Sequence, residues 1–303
     1  MKLIDDILKL KREKKAVILA HNYQPPEIQD IADYVGDSIE LSRRAKEEQE
    51  AEIIVFAAVD FMVESAAILN PEKKVLLPCA GARCSMAQML TAEQLRLWKR
   101  KYLGTPVVLY VNTLAEAKAE GDICCTSANA LKVVEALDAE TVLFGPDRNL
   151  AEYVEEKTGK KVISVPTQGF CPTHILFMND DILVQKKAHP NAVVAAHPEC
   201  TKEVRDTSDF VGSTSQICRY ANASSAEEFI IGTEVGILHK LKKENPDKQF
   251  FPAYEGATCN AMKLTTLERL YRSLKEEHVL VTVPENVAKK AKKALEKMFA
   301  LAE

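Results

Sequence analysis

The sequence lacks the features of a membrane protein and of a nucleic-acid-binding protein. Its apolar runs, such as residues 53–59, fall far short of the about 20 residues that a membrane-spanning helix needs. It has no large excess of one charge, because 40 Lys and Arg stand against 44 Asp and Glu, with both signs interspersed along the chain. We therefore expect no membrane span and no nucleic-acid partner.

The first 15 residues also lack the small-residue cleavage site of a signal peptide. They carry acids within an apolar pattern, which predicts an amphipathic helix and a cytoplasmic protein. The chain has eight cysteines. In a cytoplasmic chain of this size, cysteines are more typical of metal ligands or reactive thiols than of a disulfide framework.

Short β-branched runs alternate with helical patterns along the chain, which predicts parallel βαβ units. The units repeat at a near-constant offset, because Asp60, Asp147 and Glu234 each follow a strand and both intervals (147 − 60 and 234 − 147) are 87 residues. Each unit is predicted as strand, helix, strand, helix and strand, followed by a loop. The sequence thus predicts an α/β fold of three pseudo-threefold-related, three-layer α/β/α domains with parallel sheets and one active site at their junction.

The same repeat predicts the domain boundaries. The first domain is expected at residues 1–90, the second at 91–178 and the third at 179–264. The remaining tail, residues 265–303, is expected to join the first domain. Its pattern predicts a helix, a strand over residues 278–283 and a last helix from about Pro284.

Each of the three loops after the last strands holds a cysteine at an equivalent position of the repeat. Cys84, Cys171 and Cys259 are 87 and 88 residues apart (171 − 84 and 259 − 171), so a pseudo-threefold axis would bring them to one point. Three thiolates fit either a 4Fe-4S cluster with one open iron or a zinc ion with one open position. No C-x₂₋₄-C pair spans these positions, which favours the cluster over zinc. Three buried cysteines that simply pack remain a third interpretation.

The other five cysteines have no counterparts in the repeat. We interpret Cys124, Cys125, Cys200 and Cys218 as core residues. Cys79 is also expected to pack, although its five-residue distance from Cys84 would allow a disulfide or a role as a ligand.

The ends of the three first strands carry residues that move protons or form hydrogen bonds. These pairs are His21 and Tyr23, Tyr110 and Asn112, and His197 and Glu199. In an extended segment, side chains two residues apart point the same way, so each pair can face one site. These residue types suit acid–base chemistry, although a single histidine at this place could equally be a core residue.

A second group, Ser38, Ser127, Ser213 and Thr214, stands ahead of helical patterns. Such residues cap helices, and the free amides of a helix N-terminus also bind carboxylate or phosphate. Three such ends aimed at one centre would suit a substrate with several anionic groups. Asp60, Asp147 and Glu234 are interpreted as helix caps.

The chain closely resembles the quinolinate synthase family in several separate segments: LAHNYQPPEIQDIADYVGDSIELS, GPDRNLAEYV, GFCPTH, HPEC with GSTSQI, and ATCNAMKLTTLERL. The resemblance covers essentially the whole chain. It implies three α/β/α domains around an oxygen-sensitive 4Fe-4S cluster, one per chain, and a condensation of iminoaspartate with dihydroxyacetone phosphate that gives quinolinate, phosphate and two waters.

The resemblance also implies roles for single residues. The cluster ligands fall on Cys84, Cys171 and Cys259, and the substrate-binding positions fall on His21, Ser38, Tyr110, Asn112, Ser127, His197, Glu199 and Thr214. We add Val111, Pro198 and Ser213 to the predicted substrate-binding set.

For the chemistry, we predict Glu199 as the base and His197 as the residue that orients it. Tyr110 and His21 are expected to assist proton transfer, with Tyr23 as a further candidate. The predicted partners are the two small substrates and an aspartate-oxidising or dehydrogenating enzyme that supplies the imine.

Two other function classes could use the same cysteines. A redox or iron sensor needs the three cysteines but not the acid–base groups around them. A Cys₃-zinc or cluster-dependent lyase acting on another small anionic metabolite would use both sets.

Overall fold

The structure is a computed structural model that describes residues 2–301 and contains three separate four-stranded sheets. The strands of each sheet are parallel, and helices flank them. We call each sheet with its helices a unit. This arrangement confirms the predicted fold class of three α/β/α domains. None of the helices within residues 2–301 is both long and apolar enough to cross a lipid bilayer.

The first unit has the strand order β2-β1-β3-β4. Its elements are α1 (Lys2–Glu13), β1 (Ala16–His21), α2 (Pro26–Ile31), β2 (Tyr34–Gly36), α3 (Ser38–Glu47), β3 (Ile53–Ala57), α4 (Asp60–Leu69) and β4 (Lys74–Leu76). The central strand β3, IIVFA, is buried along its whole length, as its uniformly apolar sequence requires when helices cover both faces of the sheet.

The second unit has the equivalent order β6-β5-β7-β8. It consists of α5 (Ala92–Lys101), β5 (Val107–Tyr110), α6 (Ala115–Lys118), β6 (Ile123–Cys125), α7 (Ala130–Glu135), β7 (Thr141–Gly145), α8 (Arg148–Thr158) and β8 (Lys161–Ser164).

The third unit repeats it as β10-β9-β11-β12. It consists of α9 (Asn179–Ala188), β9 (Val193–Ala196), α10 (Lys202–Asp206), β10 (Phe210–Val211), α11 (Thr214–Ala223), β11 (Glu228–Gly232), α12 (Ile237–Glu244) and β12 (Gln249–Pro252). In all three units the carboxyl ends of the strands carry the loops that form the site described below.

Each unit has four strands joined by three helices, so the predicted pattern of three strands and two helices was wrong. In the first unit the missed strand is β2, only three residues long, at the edge of its sheet and with its first residue exposed. So short an edge strand has no alternating run that a sequence pattern could detect.

The predicted boundaries 1–90, 91–178 and 179–264 each enclose one sheet and remain predictions as boundaries. Residues 1, 302 and 303 of the predicted ranges lie outside the described residues. A short 3₁₀ helix follows the loop of each unit, at Ala87–Met89, His174–Leu176 and Met262–Leu264.

The tail packs on two units. Helix α13 (Leu267–Glu276) lies against α1 and β3 of the first unit. The predicted strand over residues 278–283 was wrong, since within that described segment only Leu280 forms an isolated antiparallel bridge, with Leu76. Helix α14 (Glu285–Ala300) packs against α4 of the first unit and also against α6 and β6 of the second. Its buried residues recur at helical spacing and form one face: Ala291, Ala294, Leu295, Met298 and Phe299.

Arg205 of α10 links the third unit to the second and is only 4% exposed. One guanidinium nitrogen donates to the carbonyl oxygens of Asn149 (3.2 Å) and Cys200 (2.8 Å). The other contacts the carboxylates of Glu152 (3.0 Å) and Glu156 (3.4 Å). A buried charge with this many partners stabilises the interface, because its removal leaves buried carbonyl oxygens without donors.

We expect Arg205→Ala to lower the free energy of unfolding by about 2–4 kcal/mol, because buried acceptors lose their donor. The matched control is Arg219→Ala, which removes an exposed contact to Glu40 at 3.5 Å and should cost at most about 1 kcal/mol. Urea unfolding of both variants tests this difference. Equal losses would show that the Arg205 contacts do not stabilise the interface.

Candidate active site

One cavity of about 470 Å³ lies where the three units meet, and each unit contributes to its wall. The first strands supply His21 from the first unit, Tyr110 from the second and His197 from the third. Cys84, Cys171 and Cys259 line the same cavity. The pseudo-threefold repeat therefore brings its equivalent residues to a single site.

Each of these cysteines stands three residues before the first residue of its 3₁₀ helix. Burial raises the pKa of all three thiols, while backbone N–H groups of Ala87, His174 and Met262 act in the opposite direction by hydrogen bonding the sulfur atoms. Such N–H groups stabilise a thiolate more than a thiol, and a bound metal ion would do the same. Each sulfur atom thus receives a backbone N–H group that would also support a metal-bound thiolate.

The spacing of the cysteines argues against a single zinc ion. Tetrahedral zinc at its usual Zn–S distance holds sulfur atoms about 3.8 Å apart. Within residues 2–301, at least one pair of the three cysteine sulfur atoms is separated by more than 4.8 Å. The described residues therefore contain no compact Cys₃ site for a single ion.

A compact group of potential ligands does exist, consisting of Cys171, His174 and Glu199. However, His174 Nδ1 lies 2.6 Å from Glu199 Oε2 and 3.1 Å from Cys171 Sγ. Nitrogen and oxygen ligands of one tetrahedral zinc ion stand about 3.3 Å apart, so the shorter contact is typical of a hydrogen bond. The geometry favours a hydrogen-bonded pair.

His21 and His197 have the same hydrogen-bond geometry in their two units. The Nδ1 atom of His21 accepts from the backbone N–H of Tyr23 (3.2 Å), and that of His197 accepts from the backbone N–H of Glu199 (3.3 Å). Burial lowers the pKa of both imidazoles to about 3. Both histidines are therefore neutral near pH 7, with the proton on Nε2 available to a ligand or to Ser127, 3.2 Å from His197 Nε2.

Glu199 is 3% exposed and ionised. Burial by itself raises the pKa of this carboxyl, but His174, His197 and a hydrogen bond from Tyr110 outweigh burial and lower it to about 2. The direct partner is His174 at 2.6 Å, whereas His197 Nδ1 is 3.8 Å away. His174 therefore lies closer to the carboxylate than His197 does, and the orienting role of His197 stays a prediction.

The two tyrosines of the site stay protonated. Burial and the nearby Glu199 charge raise the pKa of Tyr110 and of Tyr23 well above the ordinary value. The Tyr23 hydroxyl lies 2.6 Å from Thr233 Oγ1, which lies 2.8 Å from His174 Nε2. A continuous hydrogen-bonded chain thus runs from Glu199 through His174 and Thr233 to Tyr23.

Three of the four predicted hydroxyl residues, Ser38, Ser127 and Thr214, line the cavity, and none of these three is a helix N-cap. Asp37 is the N-cap of α3, and Asn129 is the N-cap of α7. Ser38 and Ser127 therefore do not cap these helices, and they form part of the cavity wall. Thr214 begins α11 and also lines the cavity. Asn112 lines it too, and its buried Oδ1 atom finds no hydrogen-bond partner within residues 2–301. A ligand with a hydroxyl or amine donor would satisfy this oxygen.

The cavity wall contains these predicted residues: His21, Tyr23, Ser38, Cys84, Tyr110, Asn112, Ser127, Cys171, His197, Glu199, Thr214 and Cys259. Val111, Pro198 and Ser213 are not among the residues that line it. The carbonyl of Val111 accepts from Lys118 Nζ (2.8 Å) and its N–H donates to Cys125 (2.8 Å). The Ser213 hydroxyl donates to Asp37 and caps α11. Pro198 has no N–H to offer a ligand.

Sequence reasoning missed His174 and Thr233. His174 has no equivalent in the other loops, where Ala87 and Met262 take its place, so the repeat did not mark it. Its distance of three residues from Cys171, within CPTH, was the one available signal, because that spacing brings side chains together in a helical turn.

The remaining cysteines are free thiols, with no disulfide within residues 2–301. Cys124, Cys125, Cys200 and Cys218 are buried, which confirms their interpretation as core residues. Cys79 is half-buried and is not among the residues that line the cavity.

Comparisons with known proteins assign this chain to a family. Residues 5–300 match the family model described as Quinolinate synthetase A protein. The quinolinate synthase of Pyrococcus horikoshii is 51% identical over 301 residues, which is 99% of each chain. That of Thermotoga maritima is 52% identical over 299 residues, again 99% of each chain. That of Methanothermobacter thermautotrophicus is 51% identical over 298 residues, 98% of each chain.

The buried neutral histidines predict an acid-sensitive fold. Because their folded pKa of about 3 lies below the unfolded value of 6.5, the unfolded chain binds more protons, so stability falls as the pH falls below about 6.5. Each histidine should cost about 2 kcal/mol of stability between pH 7 and pH 5. Glu199 adds a further loss only below about pH 4.5.

Urea unfolding of the metal-free chain at several pH values measures this dependence. His21→Gln should make it shallower, whereas His278→Gln, at an exposed position, should leave it unchanged. An equally steep dependence in the His21 variant would contradict the assignment of a neutral buried imidazole.

Proposed function

This chain belongs to the quinolinate synthetase A protein family, and we propose that it condenses iminoaspartate with dihydroxyacetone phosphate to give quinolinate, phosphate and two waters. Family membership makes the chain an enzyme that forms quinolinate, in NAD biosynthesis. The substrates, the cofactor and the roles of single residues are the finer content of the proposal. They are supported by the composition and geometry of the cavity.

We assign the cofactor as one 4Fe-4S cluster held by Cys84, Cys171 and Cys259. Three observations support this fit: the three thiols come from three units, they are spaced more widely than zinc requires, and each receives a backbone N–H. When bound, such a cluster leaves one iron without a protein thiolate, which supplies an open Lewis-acid position for a substrate carboxylate, nitrogen or hydroxyl.

The hydroxyl groups of Ser38, Ser127 and Thr214 bind the anionic ends of the substrates. Helices α3 and α11 begin at Ser38 and Thr214, so backbone N–H groups and the positive ends of two helix dipoles add to this binding. Asn112 Oδ1, a buried acceptor without a partner among the described residues, accepts from the triose hydroxyl. These groups hold the two reactants in one orientation.

Glu199 is the general base of the dehydrations. It is ionised, and His174, whose Nδ1 atom lies 2.6 Å from Oε2, donates a hydrogen bond that orients the carboxylate toward the substrate proton that it accepts. Thr233 and Tyr23 extend this hydrogen-bond network and hold the His174 ring in its orientation. Tyr110, which stays protonated, donates a hydrogen bond to Glu199 and can return a proton to a leaving hydroxyl.

His21 and His197 act as neutral hydrogen-bond donors through Nε2. The backbone contacts at Nδ1 fix this tautomer in both residues. A neutral imidazole can polarise a carbonyl or imine without placing a full positive charge beside the cysteines. Their role is therefore to bind and polarise the substrates, while Glu199 moves the proton.

A reactive imine must be kept from water, and contacts between units serve this purpose. Asn22 donates to Thr214 across the first and third units at 2.9 Å, and Gln29 donates to the carbonyl of Gly236 at 2.9 Å. We propose that the units close around the substrates by a rigid-body movement. We further propose a cytoplasmic location and functional coupling to an aspartate-oxidising or dehydrogenating enzyme, because iminoaspartate arises by oxidation of aspartate.

One observation carries the proposal: the three repeat-related cysteines and the ionised Glu199 open into the same cavity. A sensor would need the cysteines alone. A ligating metal centre together with a base, proton donors and anion-binding helix ends indicates catalysis.

Glu199→Gln should lower the rate of quinolinate formation by about 10²–10⁴-fold, because glutamine cannot accept a proton. The cluster should still assemble. The control, Glu203→Gln, changes a nearby exposed residue and should keep wild-type activity. Quinolinate formed from iminoaspartate and the triose phosphate is measured for each protein. An unchanged rate for Glu199→Gln would refute its role as the base.

Cys171→Ala should prevent cluster binding, because the loop of the second unit then offers no thiolate. Cys200→Ala, which removes a buried thiol outside the cavity wall, should bind iron like the wild type. Iron and sulfide per chain are measured after purification without oxygen. Full iron content in the Cys171 variant would contradict the ligand set.

A further inference from the structure

In each unit, an acidic side chain contacts the backbone of the loop that carries the cysteine. Cys84 N–H donates to Asp60 Oδ1, Cys171 N–H donates to Asp147 Oδ2, and Cys259 N–H donates to Glu234 Oε1. All three distances are 3.0 Å. The same bond is thus made three times, once for every cysteine of the cavity.

The same carboxylates also bind the start of the helix that follows the third strand. Asp147 Oδ1 accepts from Leu150 N–H (2.7 Å), and Glu234 Oε2 accepts from Gly236 N–H (2.7 Å). In Asp60 one oxygen, Oδ1, accepts both from Phe61 N–H (2.9 Å) and from the cysteine. Each carboxylate therefore connects a rigid helix end with a loop.

A backbone hydrogen bond reinforces each connection. The N–H of Asp60 donates to Ala82 (2.9 Å), that of Arg148 to Gly169 (2.9 Å), and that of Val235 to Ala257 (3.0 Å). Every acceptor lies two residues before the cysteine of its loop. Two adjacent bonds of this kind fix both the position and the direction of the loop.

Helix capping does not account for this recurrence. Asp147 is the N-cap of α8, but Asp60 is the first residue of α4 and Glu234 lies before Gly236, the N-cap of α12. The acids differ in length and in their place relative to the helix. What they share is the bond to the cysteine.

We propose that Asp60, Asp147 and Glu234 are positioning residues, which hold the three cysteine loops in the arrangement that a bound cluster requires. The inference rests on the proposed function, in which these cysteines are the cluster ligands. A cluster bound from three separate units needs three sulfur atoms at fixed separations, and the loops themselves contain no sheet or helix bonds before the cysteines. One side-chain oxygen that accepts from each cysteine N–H can supply this anchoring.

Asp147 accepts its two backbone donors at two oxygens, whereas Asp60 accepts both at one. This difference gives a specific test, because asparagine has one acceptor oxygen and one NH₂ group. Asp147→Asn keeps a good N-cap but presents NH₂ to one of two backbone donors, so the Cys171 loop loses its anchor. Asp60→Asn can still accept both backbone donors at one oxygen. Asp60→Ala accepts neither donor. Because Asp60 is half-buried, this replacement should disturb folding the least.

The experiment measures the rate at which an iron chelator removes iron from the purified holoenzyme without oxygen. We expect release about tenfold faster or more in Asp147→Asn and Asp60→Ala, and close to the wild-type rate in Asp60→Asn. Thr91→Ala removes the N-cap of α5, outside the cysteine loops, and serves as the control for lost capping. Its release rate should match the wild type.

Wild-type release rates in both Asp147→Asn and Asp60→Ala would overturn the proposal. Equally fast release in the two asparagine variants would also overturn it, because charge and not bonding geometry would then be the cause. If the wild-type chain carries no iron, the proposed function fails separately. The anchoring of the loop is then decided by hydrogen exchange of residues 169–173, which should be faster in Asp147→Asn, and unchanged exchange would refute it.

Discussion

The convergence of three parallel sheets on one cavity is the constraint on which the rest of the structure depends, because no single unit holds enough groups for a site. Each unit contributes one cysteine, one pair of polar residues after its first strand and one hydroxyl ahead of a helix. A shift of one unit would displace a third of the site. Contacts between units, such as those of Arg205 and the bond from Asn22 to Thr214, therefore also determine the geometry of the cavity.

Burial and local contacts give the titratable groups of this cavity different protonation states. It keeps His21 and His197 neutral and Tyr110 and Tyr23 protonated, while the partners of Glu199 keep one carboxylate ionised. One base thus lies among several donors. Such an arrangement suits the proposed reaction, in which two waters and a phosphate leave, since a departing group needs a proton and a dehydration needs a base.

The repeat was sufficient to predict the fold class and to select three of eight cysteines, because an offset of about 87 residues appears in strands, acids and cysteines alike. Features that break the repeat or are short were missed. His174 has no equivalents, β2 is three residues long, and α14 packs on two units because its apolar stripe contacts α4, α6 and β6 together. The three acids were assigned as caps, since sequence gives their place at a helix start but not the distant loop N–H that they also bind.

The most direct test of the account is a metal analysis of the chain purified without oxygen. Iron, zinc and acid-labile sulfide per chain are measured together with the visible absorption of thiolate-bound iron. The account predicts a brown protein with about four iron and four sulfide per chain and no stoichiometric zinc. A colourless protein with one zinc per chain would contradict it and would direct attention to Cys171, His174 and Glu199 as the ligands of a single ion.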